Sequence, residues 1–274
     1  MYIKGDVVKM EDKILLFIPA YNCEKQITRV LDQLDDDVFK IIREVIVINN
    51  RSTDNTEKVV ADYIKTHNRN IKLLRNNENY GLGGSHKVAF DYAKKNNFDY
   101  VIVLHGDDQG SVKDILPYIE SEEHKNYDCI LGARFMKKSK LIGYSKFRTF
   151  GNRVYNLLFS MVVHKKIYDL GSGLNLYKVE MLKYEFYKKF PDNLMFNYCM
   201  ILASNYYDHN IRFVPISWRE DDQVSNVKMV NQAITVLKML FNYMVNKKKF
   251  IYKDLRTKPI DNYSAEVVCE NEPR

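Results

Sequence analysis

Residues 100–109, YVIVLHGDDQ, join a short apolar run to a polar turn. The first five residues predict a strand covered on both faces of a sheet. The turn that follows places a histidine, two aspartates and a glutamine at the carboxyl end of that strand. In an open parallel sheet, ligands bind beyond the carboxyl ends of the strands. This stretch therefore predicts both the kind of sheet and the place of the chemistry.

Other segments repeat the pattern of a short apolar run bounded by polar residues or glycine. They predict further strands at 14–18, 45–48, 71–74 and 129–131. Amphipathic helical patterns alternate with them at 24–34, 54–67, 84–95 and 111–121. We expect Asp54 and Ser111 to serve as N-caps. The alternation predicts an α/β fold, a Rossmann-like and mostly parallel sheet flanked by helices.

The pattern changes after residue 135, where helical periodicity dominates. Helices are predicted at 146–163, 178–190 and 193–208, and an isolated strand at 212–218. We expect one catalytic domain over residues 1–225, followed by a helical C-terminal extension. That extension is an amphipathic, basic helix at 226–256, and the polar residues 257–274 predict a disordered tail.

The composition limits the classes of partner. The chain has 274 residues and a net charge of +7, which favours anionic partners. No apolar run has the length of a membrane-spanning helix or a signal peptide. The four scattered cysteines lack zinc-site spacing and predict a reduced, cytoplasmic setting. No nucleic-acid-binding motif is present, so nucleic acid is not expected as a partner. The 226–256 helix has two interpretations, contact with a membrane surface or packing on the domain.

Three polar segments are candidates for ligand binding. The residues 105–109 supply the oxygen and nitrogen ligands that Mg²⁺ or Mn²⁺ prefers, although an acidic loop capping the next helix explains them equally well. The glycines of 81–84 either offer backbone amides to a phosphate or form a tight turn. Asn49, Asn50 and Asp54 either bind a base or ribose, or form a turn with a helix cap.

Together these segments resemble the family 2 glycosyltransferases, most closely the branch similar to dolichyl- or polyprenyl-phosphate sugar synthases. The resemblance extends in order from about residue 14 to residue 226. The matching motifs are IPAYN (18–22), VINNRSTDNT (47–56), NYGLGG (79–84), HGDDQ (105–109), GAR (132–134), GNR (151–153) and DLGSGLN (169–175). The resemblance implies a GT-A fold and an inverting transfer from a nucleotide-diphospho-sugar.

The resemblance also implies roles for residues at matching positions. Around the nucleotide it places Pro19, Tyr21, Glu24, Asn50, Gly83 and Asp107. For a Mn²⁺ or Mg²⁺ cofactor it gives Asp107, Gln109 and His105. The catalytic set is Asp107, Asp108, Arg134 and Arg219. On the acceptor side it gives Ser172, Asn152 and Arg153.

Three departures from the family pattern bear on mechanism. His105 replaces an aspartate, and a neutral imidazole suits Mn²⁺ better than Mg²⁺. The pair Asn49-Asn50 replaces two acidic residues, which predicts weaker nucleotide binding or another base preference. The segment 196–199 lacks the acidic residues common in relatives, so it offers no general base. A sugar hydroxyl needs such a base and a lipid phosphate does not. Residues 220–222, Glu-Asp-Asp, could supply a base or form a solvated turn.

The expected function is a metal-dependent, inverting hexosyl transfer from a UDP- or GDP-linked sugar. The expected acceptor is membrane-associated, such as a polyprenyl phosphate or a cell-surface glycan intermediate. The expected place is the cytoplasm, at the inner face of the membrane, with peripheral contact through the basic C-terminal helix. The alternatives are transfer to a soluble sugar hydroxyl and a non-catalytic nucleotide-binding role. A nucleotidyltransferase is disfavoured because Pro19-Ala20-Tyr21-Asn22, not a glycine-rich loop, follows the first strand.

Overall fold

The computed structural model describes residues 12–220 and 229–271, with side chains from residue 233 onward in the second range. These ranges contain ten strands. In chain order they are β1 (Ile14–Ala20), β2 (Glu44–Asn49), β3 (Ile71–Asn76), β4 (Tyr100–Leu104), β5 (Cys129–Ala133), β6 (Lys140–Ile142), β7 (Leu174–Lys178), β8 (Ile211–Pro215), β9 (Ser217–Arg219) and β10 (Ala265–Asn271).

The same ranges contain nine α-helices. They are α1 (Ile27–Leu31), α2 (Asp36–Ile41), α3 (Thr56–Thr66), α4 (Gly81–Lys95), α5 (Leu116–Glu120), α6 (Lys146–Val163), α7 (Met195–Tyr206), α8 (Met229–Val245) and α9 (Lys247–Tyr252). No helix in the described ranges has both the length and the apolar character needed to cross a membrane.

Eight strands form one sheet in the order β10-β3-β2-β1-β4-β7-β5-β8. Strands β3, β2, β1 and β4 run parallel to one another, and β5 is parallel to β8. Strand β7 lies antiparallel between β4 and β5, and β10 pairs antiparallel with β3. The short strands β6 and β9 form a separate parallel pair. The predicted α/β fold with a mostly parallel sheet flanked by helices is confirmed.

The central strands are buried on both faces, which explains their unbroken apolar runs. Along β4, Val101 and Val103 face the apolar layer that includes residues of α4, α6 and α7. Ile102 and Leu104 face the opposite layer, which includes residues of α1 and α5. Because side chains alternate along a strand, both layers are anchored on β4. The polar turn that follows β4 is therefore held between two packed cores.

Strand β10 corrects the prediction of a disordered tail at 257–274. Residues 265–271 pair with β3 as an edge strand, and Arg75 on β3 bonds Glu266 at 2.6 Å. Upstream of β10, the Tyr263 hydroxyl donates to Asp192 at 2.8 Å. Strand β10 is the outermost strand of the sheet and none of its side chains is fully buried, so it needs no continuous apolar run and its sequence resembled a polar tail. Residues 272–274 lie outside the described ranges.

Two further predictions in the second half of the chain were wrong. The segment 212–218 is not isolated, because β8 pairs with β5 inside the main sheet. The helix predicted at 178–190 is instead two 3₁₀ turns, Val179–Leu182 and Phe186–Lys189. Glu185, with a φ of 53°, lies between them in the left-handed region and ends the helical path.

The predicted 226–256 helix is two helices within the described part of the chain, α8 and α9, which pack on the domain. The Tyr243 hydroxyl on α8 contacts the Leu202 carbonyl at 3.0 Å and Asn205 Oδ1 at 2.8 Å. Phe250 and Ile251 on α9 are buried. One face of this extension therefore belongs to the core. Residues 226–228 lie outside the described ranges.

Two helical glycines differ in the space around them, and this predicts opposite effects on stability. A Cβ at Gly83 would clash with the Pro191 carbonyl oxygen and lie 2.8 Å from the Phe196 Cβ. A Cβ at Gly151 on α6 would meet nothing within 4 Å. We expect Gly83→Ala to lower the free energy of unfolding by about 1–3 kcal/mol. Gly151→Ala should raise it by about 0.5–1 kcal/mol through helix propensity.

Urea unfolding of both variants, followed by circular dichroism, measures the difference. A Gly83→Ala protein as stable as the parent would contradict the packing argument.

Candidate active site

The polar turn after β4 lies where several segments meet. The Gly106 amide donates to the Pro19 carbonyl at the end of β1, at 3.1 Å. The His105 amide donates to the Gly173 carbonyl, at 2.9 Å. The backbone thus joins residues 105–109 to the turn after β1 and to the loop before β7. The sheet brings the predicted metal motif and part of the predicted nucleotide site together.

Asp107 carries a carboxylate in a low-dielectric setting. Burial raises its pKa to about 6, while the charge of Arg134 lowers it and that of Glu220 raises it. Its Oδ1 accepts a long hydrogen bond from the Gln109 amide, at 3.4 Å. A carboxylate that is costly to ionise favours a cationic partner in the same site.

Asp108 lies in the left-handed region, with a φ of 59°, and its carboxylate is 3% exposed. Arg29 Nε donates to it at 2.5 Å, and Arg219 forms a second ion pair with the same oxygen. Gln33 Nε2 donates to the other oxygen at 3.2 Å. The carboxylate is therefore saturated with donors from α1, the loop after α1 and β9. The structure gives Asp108 a tethering role, and its catalytic role stays a prediction.

Arg219 is held twice to the same turn. Its Nε donates to the Asp108 carbonyl at 2.9 Å, and its amide donates to the Gln109 carbonyl at 2.9 Å. The side chain is nevertheless 41% exposed. It forms part of the wall of a cavity of about 310 Å³, together with Gln109 and Trp218. A fixed but solvent-accessible guanidinium at a cavity wall is suited to an anionic ligand.

Glu220 follows β9 and reaches the same turn. Gln109 Nε2 donates to Glu220 Oε1 at 3.5 Å, and Arg148 on α6 donates to Glu220 Oε2 at 2.6 Å. Only 13% of the Glu220 side chain is exposed, so this residue is not part of a solvated turn. The other two acidic residues of that predicted turn, at 221 and 222, lie outside the described ranges.

His105 is packed and neutral. A Cβ at position 173 would lie 2.7 Å from the His105 ring, so only glycine fits there. Burial and, to a smaller extent, the charge of Arg134 together lower the pKa of His105 to about 4. Its Nε2 is buried without a hydrogen-bond partner among the described residues. Over those ranges no group of three or more His, Cys, Asp or Glu side chains could hold a metal ion.

Arg134 is fixed within an aromatic enclosure. Two of its nitrogens bond the Asp169 carboxylate, each at 2.8 Å. The guanidinium lies 5.0 Å from the Trp218 ring centre and 5.7 Å from that of Tyr144. Burial lowers the pKa of Arg134, but the Asp169 carboxylate outweighs burial and raises it. Arg134 is therefore a permanent charge that lowers the pKa values of Asp107 and His105.

The three residues predicted on the acceptor side lie in different environments. Ser172 is buried and donates to the Leu174 carbonyl at 3.1 Å. Asn152 donates to the Tyr144 hydroxyl at 2.9 Å. Arg153 lines a separate groove of about 900 Å³ between α6 and the residues 135–137 and 164–168. The structure does not place Arg153 in the cavity that holds Arg219.

The asparagines that replace the acidic pair belong to a hydrogen-bond network. Asn49 donates to Glu57 Oε2 at 2.7 Å, so an acidic residue at 49 would face another carboxylate. Asn50 accepts from Asn76 Nδ2 at 2.9 Å and donates to Asn79 Oδ1 at 2.8 Å. An amide satisfies both partners, while a carboxylate could satisfy only one. The departure from the family pattern thus has a structural cause.

Other predicted nucleotide residues have internal partners. Glu24 Oε2 accepts from the Asn55 amide at 2.8 Å, beside the start of α3. The Gly83 amide donates to the Asp192 carbonyl at 2.7 Å, and the Gly81 amide to Asn79 Oδ1 at 3.1 Å. Because these amides already have partners, they are not available to a phosphate. Of the two interpretations of residues 81–84, the structure therefore favours the tight turn. Tyr21 remains 50% exposed after β1.

The chain matches known proteins in sequence and in fold. The family model described as "Glycosyl transferase family 2" matches residues 16–186. An uncharacterized protein of Methanocaldococcus jannaschii is 29% identical over 174 residues, which are 62% of this chain and 73% of that protein. An uncharacterized glycosyltransferase of Mycoplasma genitalium is 30% identical over 126 residues, which are 43% of this chain and 38% of that protein.

Two solved structures share the fold. S. aureus TarS superposes with a TM-score of 0.58 at 19% identity, covering 88% of this chain and 70% of that chain. Glucosyl-3-phosphoglycerate synthase from Mycobacterium tuberculosis, in complex with uridine-diphosphate, gives a TM-score of 0.60 at 14% identity, covering 85% and 80%. At these identities the likeness concerns the fold alone.

We expect substitution of the two neighbouring aspartates, Asp107 and Asp108, to change the free energy of unfolding in opposite directions. The folded-state pKa of Asp107, about 6, exceeds its ordinary 3.8. Between these values the folded state binds more protons, so the free energy of unfolding falls as the pH rises through that window. Asp107→Asn removes this loss and should raise stability above pH 6 by about 1–3 kcal/mol. Asp108→Asn keeps the left-handed backbone but breaks both ion pairs, and should lower stability by about 1–3 kcal/mol.

Urea unfolding of both variants below and above pH 6 measures these changes. Equal effects of the two substitutions would contradict the assignment of different environments.

Proposed function

This chain belongs to glycosyl transferase family 2, and we propose that it transfers a sugar from a nucleotide-diphospho-sugar to a membrane-associated acceptor. One observation carries the proposal: Asp107 lies in a low-dielectric site beyond the carboxyl end of β4, beside Arg134 and Glu220. In the reaction, an acceptor oxygen forms a bond to the anomeric carbon while the bond to the diphosphate breaks. The anomeric configuration inverts, and the nucleoside diphosphate leaves with an added negative charge.

The donor is proposed to be UDP-linked, with a GDP-linked sugar as the alternative. TarS has been solved in complex with UDP-GlcNAc, and the M. tuberculosis synthase in complex with uridine-diphosphate. The half-exposed ring of Tyr21 offers a surface on which a base can stack. Arg219 is proposed to contact the diphosphate, because its guanidinium is fixed at the cavity wall.

A Mn²⁺ or Mg²⁺ ion is proposed as cofactor, held by Asp107 and Gln109. The residues fit such an ion because burial and a second carboxylate make ionised Asp107 costly, and a cation offsets both effects. When bound, the ion neutralises charge on the diphosphate. His105 has a neutral imidazole and a buried Nε2 without a partner among the described residues, which suits Mn²⁺ better than Mg²⁺. Its part in the site stays a proposal.

The acceptor is proposed to be a phosphate, as in a polyprenyl phosphate. The segment 196–199, where relatives often carry acidic residues, is core: Phe196, Asn197 and Cys199 are buried. A phosphate is already an anion and needs no base. The setting proposed for this reaction is the cytoplasmic face of a membrane, with peripheral contact through the C-terminal extension.

A second candidate is transfer to the hydroxyl of a sugar. Glu220 favours it, because its carboxylate lies beside Gln109 and could accept a proton. Its ion pair with Arg148, at 2.6 Å, fixes the position of that carboxylate. A growing glycan would be such an acceptor.

Replacing Asp107 tests the transfer reaction. With Mn²⁺, a panel of UDP- and GDP-sugars and polyprenyl phosphate, we expect release of the nucleoside diphosphate. Asp107→Ala should lower the turnover number at least about a hundredfold, because the cation and diphosphate lose their charged ligand. The exposed Asp62→Ala on α3 is the control and should leave turnover unchanged.

Calorimetry separates the remaining outcomes. Metal-dependent binding of UDP or GDP without turnover would assign the chain a non-catalytic role. Absence of any such binding would overturn the proposal.

Replacing Glu220 distinguishes the two acceptor classes. With a phosphate acceptor, Glu220→Gln should change turnover less than about tenfold and keep the shape of its pH dependence. The exposed Glu180→Gln is the control. Loss of the acidic limb of the pH–rate profile in Glu220→Gln alone would identify Glu220 as the base and favour a hydroxyl acceptor.

A further inference from the structure

Helix α6 exposes a row of large apolar side chains. They recur at intervals of three and four residues, which places them on one face of the helix. Their exposed fractions are 68%, 67%, 40%, 60% and 55% for Phe147, Phe150, Val154, Leu157 and Met161, respectively. The opposite face is buried through Phe159 and Val163. Packing against the domain therefore does not explain the exposed row.

Helix α8 repeats this arrangement and packs against α6. Its exposed apolar residues follow the same intervals and are 49%, 49%, 65% and 61% exposed at Ile234, Leu237, Phe241 and Met244. Its other face contributes Val236, Leu240 and Tyr243 to the core. Two adjacent helices thus carry apolar rows in addition to their buried faces. We call these two exposed rows together the α6–α8 face.

The two stretches of sequence that contain α6 and α8 are rich in cations. Residues 132–168 contain nine Lys or Arg and no Asp or Glu, and residues 223–253 contain six Lys and no Asp or Glu. The whole chain has a net charge of +7, so the remainder of the chain is net negative. Positive charge is therefore concentrated in these two stretches of sequence. In the structure, Arg134, Arg148 and Lys165 are paired with Asp169, Glu220 and Asp208, and the other cations of these stretches supply the excess.

A groove beside α6 combines both properties. It has a volume of about 900 Å³ and includes Leu157 and Met161 from the apolar row. Arg153, Lys165 and Lys166 also line it. Cations beside an apolar row match a ligand with an anionic head and an apolar body.

We propose that the α6–α8 face docks on the surface of an anionic lipid bilayer. Its apolar rows would enter the boundary between headgroups and acyl chains, while the surrounding lysines and arginines meet lipid phosphates. A second copy of this chain fits less well, because a symmetric contact would bring two positively charged surfaces together. The proposal extends the membrane contact from the C-terminal extension to α6, within the catalytic domain. It does not depend on the transfer reaction.

Vesicle flotation of the full chain, without donor or acceptor, tests the docking. We expect binding to vesicles of phosphatidylcholine mixed with phosphatidylglycerol, and at least about tenfold weaker binding to phosphatidylcholine alone. The double variant Phe150→Ser/Leu157→Ser should weaken binding at least about tenfold, because both side chains are exposed and would enter the bilayer. The matched control, Tyr184→Ser/Val267→Ser, changes two apolar residues outside α6 and α8 whose exposure is similar, and should bind as the parent does.

A charge-reversal pair tests the electrostatic part. Lys165→Glu/Lys166→Glu should weaken binding to the anionic vesicles at least about tenfold. The control is Lys58→Glu/Lys65→Glu, which changes the net charge by the same amount at exposed positions of α3. It should weaken binding less than about twofold, because these positions lie outside the proposed contact.

Several results would overturn the proposal. One is failure of the parent protein to float with anionic vesicles, and another is unchanged binding of both α6 variants. A third is a dimer of the parent in sedimentation velocity that Phe150→Ser/Leu157→Ser dissociates, which would assign the face to a second copy. Because flotation needs no donor, a protein that floats without transferring sugar would contradict only the proposed function.

Discussion

The buried carboxylate of Asp108 holds three parts of the chain around the turn after β4. Arg29 comes from α1, Gln33 from the loop after it, and Arg219 from β9. The left-handed backbone at Asp108 directs the turn, and the two guanidinium groups compensate a charge that burial would otherwise make costly. Since Arg219 is fixed by the same contact, the wall of the cavity depends on it. The pKa of the neighbouring Asp107 responds instead to burial and to the charges of Arg134 and Glu220.

The loop before β7 imposes a second constraint on the same turn. His105 packs so closely on Gly173 that no side chain fits there. Asp169, in the same loop, binds Arg134, whose charge acts on Asp107 and His105. The antiparallel β7 carries this loop to the carboxyl end of β4. The antiparallel strand therefore brings Asp169 to the same edge of the sheet as Arg134, which follows β5, and Asp169 fixes that cation near the turn after β4.

Sequence patterns predicted those strands whose burial on both faces requires an unbroken run of apolar residues. Strands β1, β2 and β4 are covered on both faces and each contains an unbroken apolar run, so their positions were visible in the sequence. Strand β7 was missed because Asn175 interrupts its apolar run, and β10 because an edge strand tolerates polar residues. The motif at 105–109 was found from the sequence. Because Asp107 and Asp108 are adjacent in the chain, the sequence alone could not show that their carboxylates lie in different environments. That distinction depends on a backbone dihedral angle and on Arg29, Gln33 and Arg219, which are distant in sequence.

Helix α6 connects the turn after β4 to the α6–α8 face. Arg148 lies in its first turn and binds Glu220, which contacts Gln109. Phe147 and Phe150, on either side of Arg148 in sequence, belong to the exposed apolar row. Because each residue of a helix advances about 1.5 Å along its axis, α6 fixes the distance between the Arg148–Glu220 contact and the exposed apolar row. If the row lies on a bilayer, the turn after β4 is held at a set height above the lipid phosphates. That geometry favours an acceptor whose phosphate lies at the membrane surface over one that diffuses freely in solution.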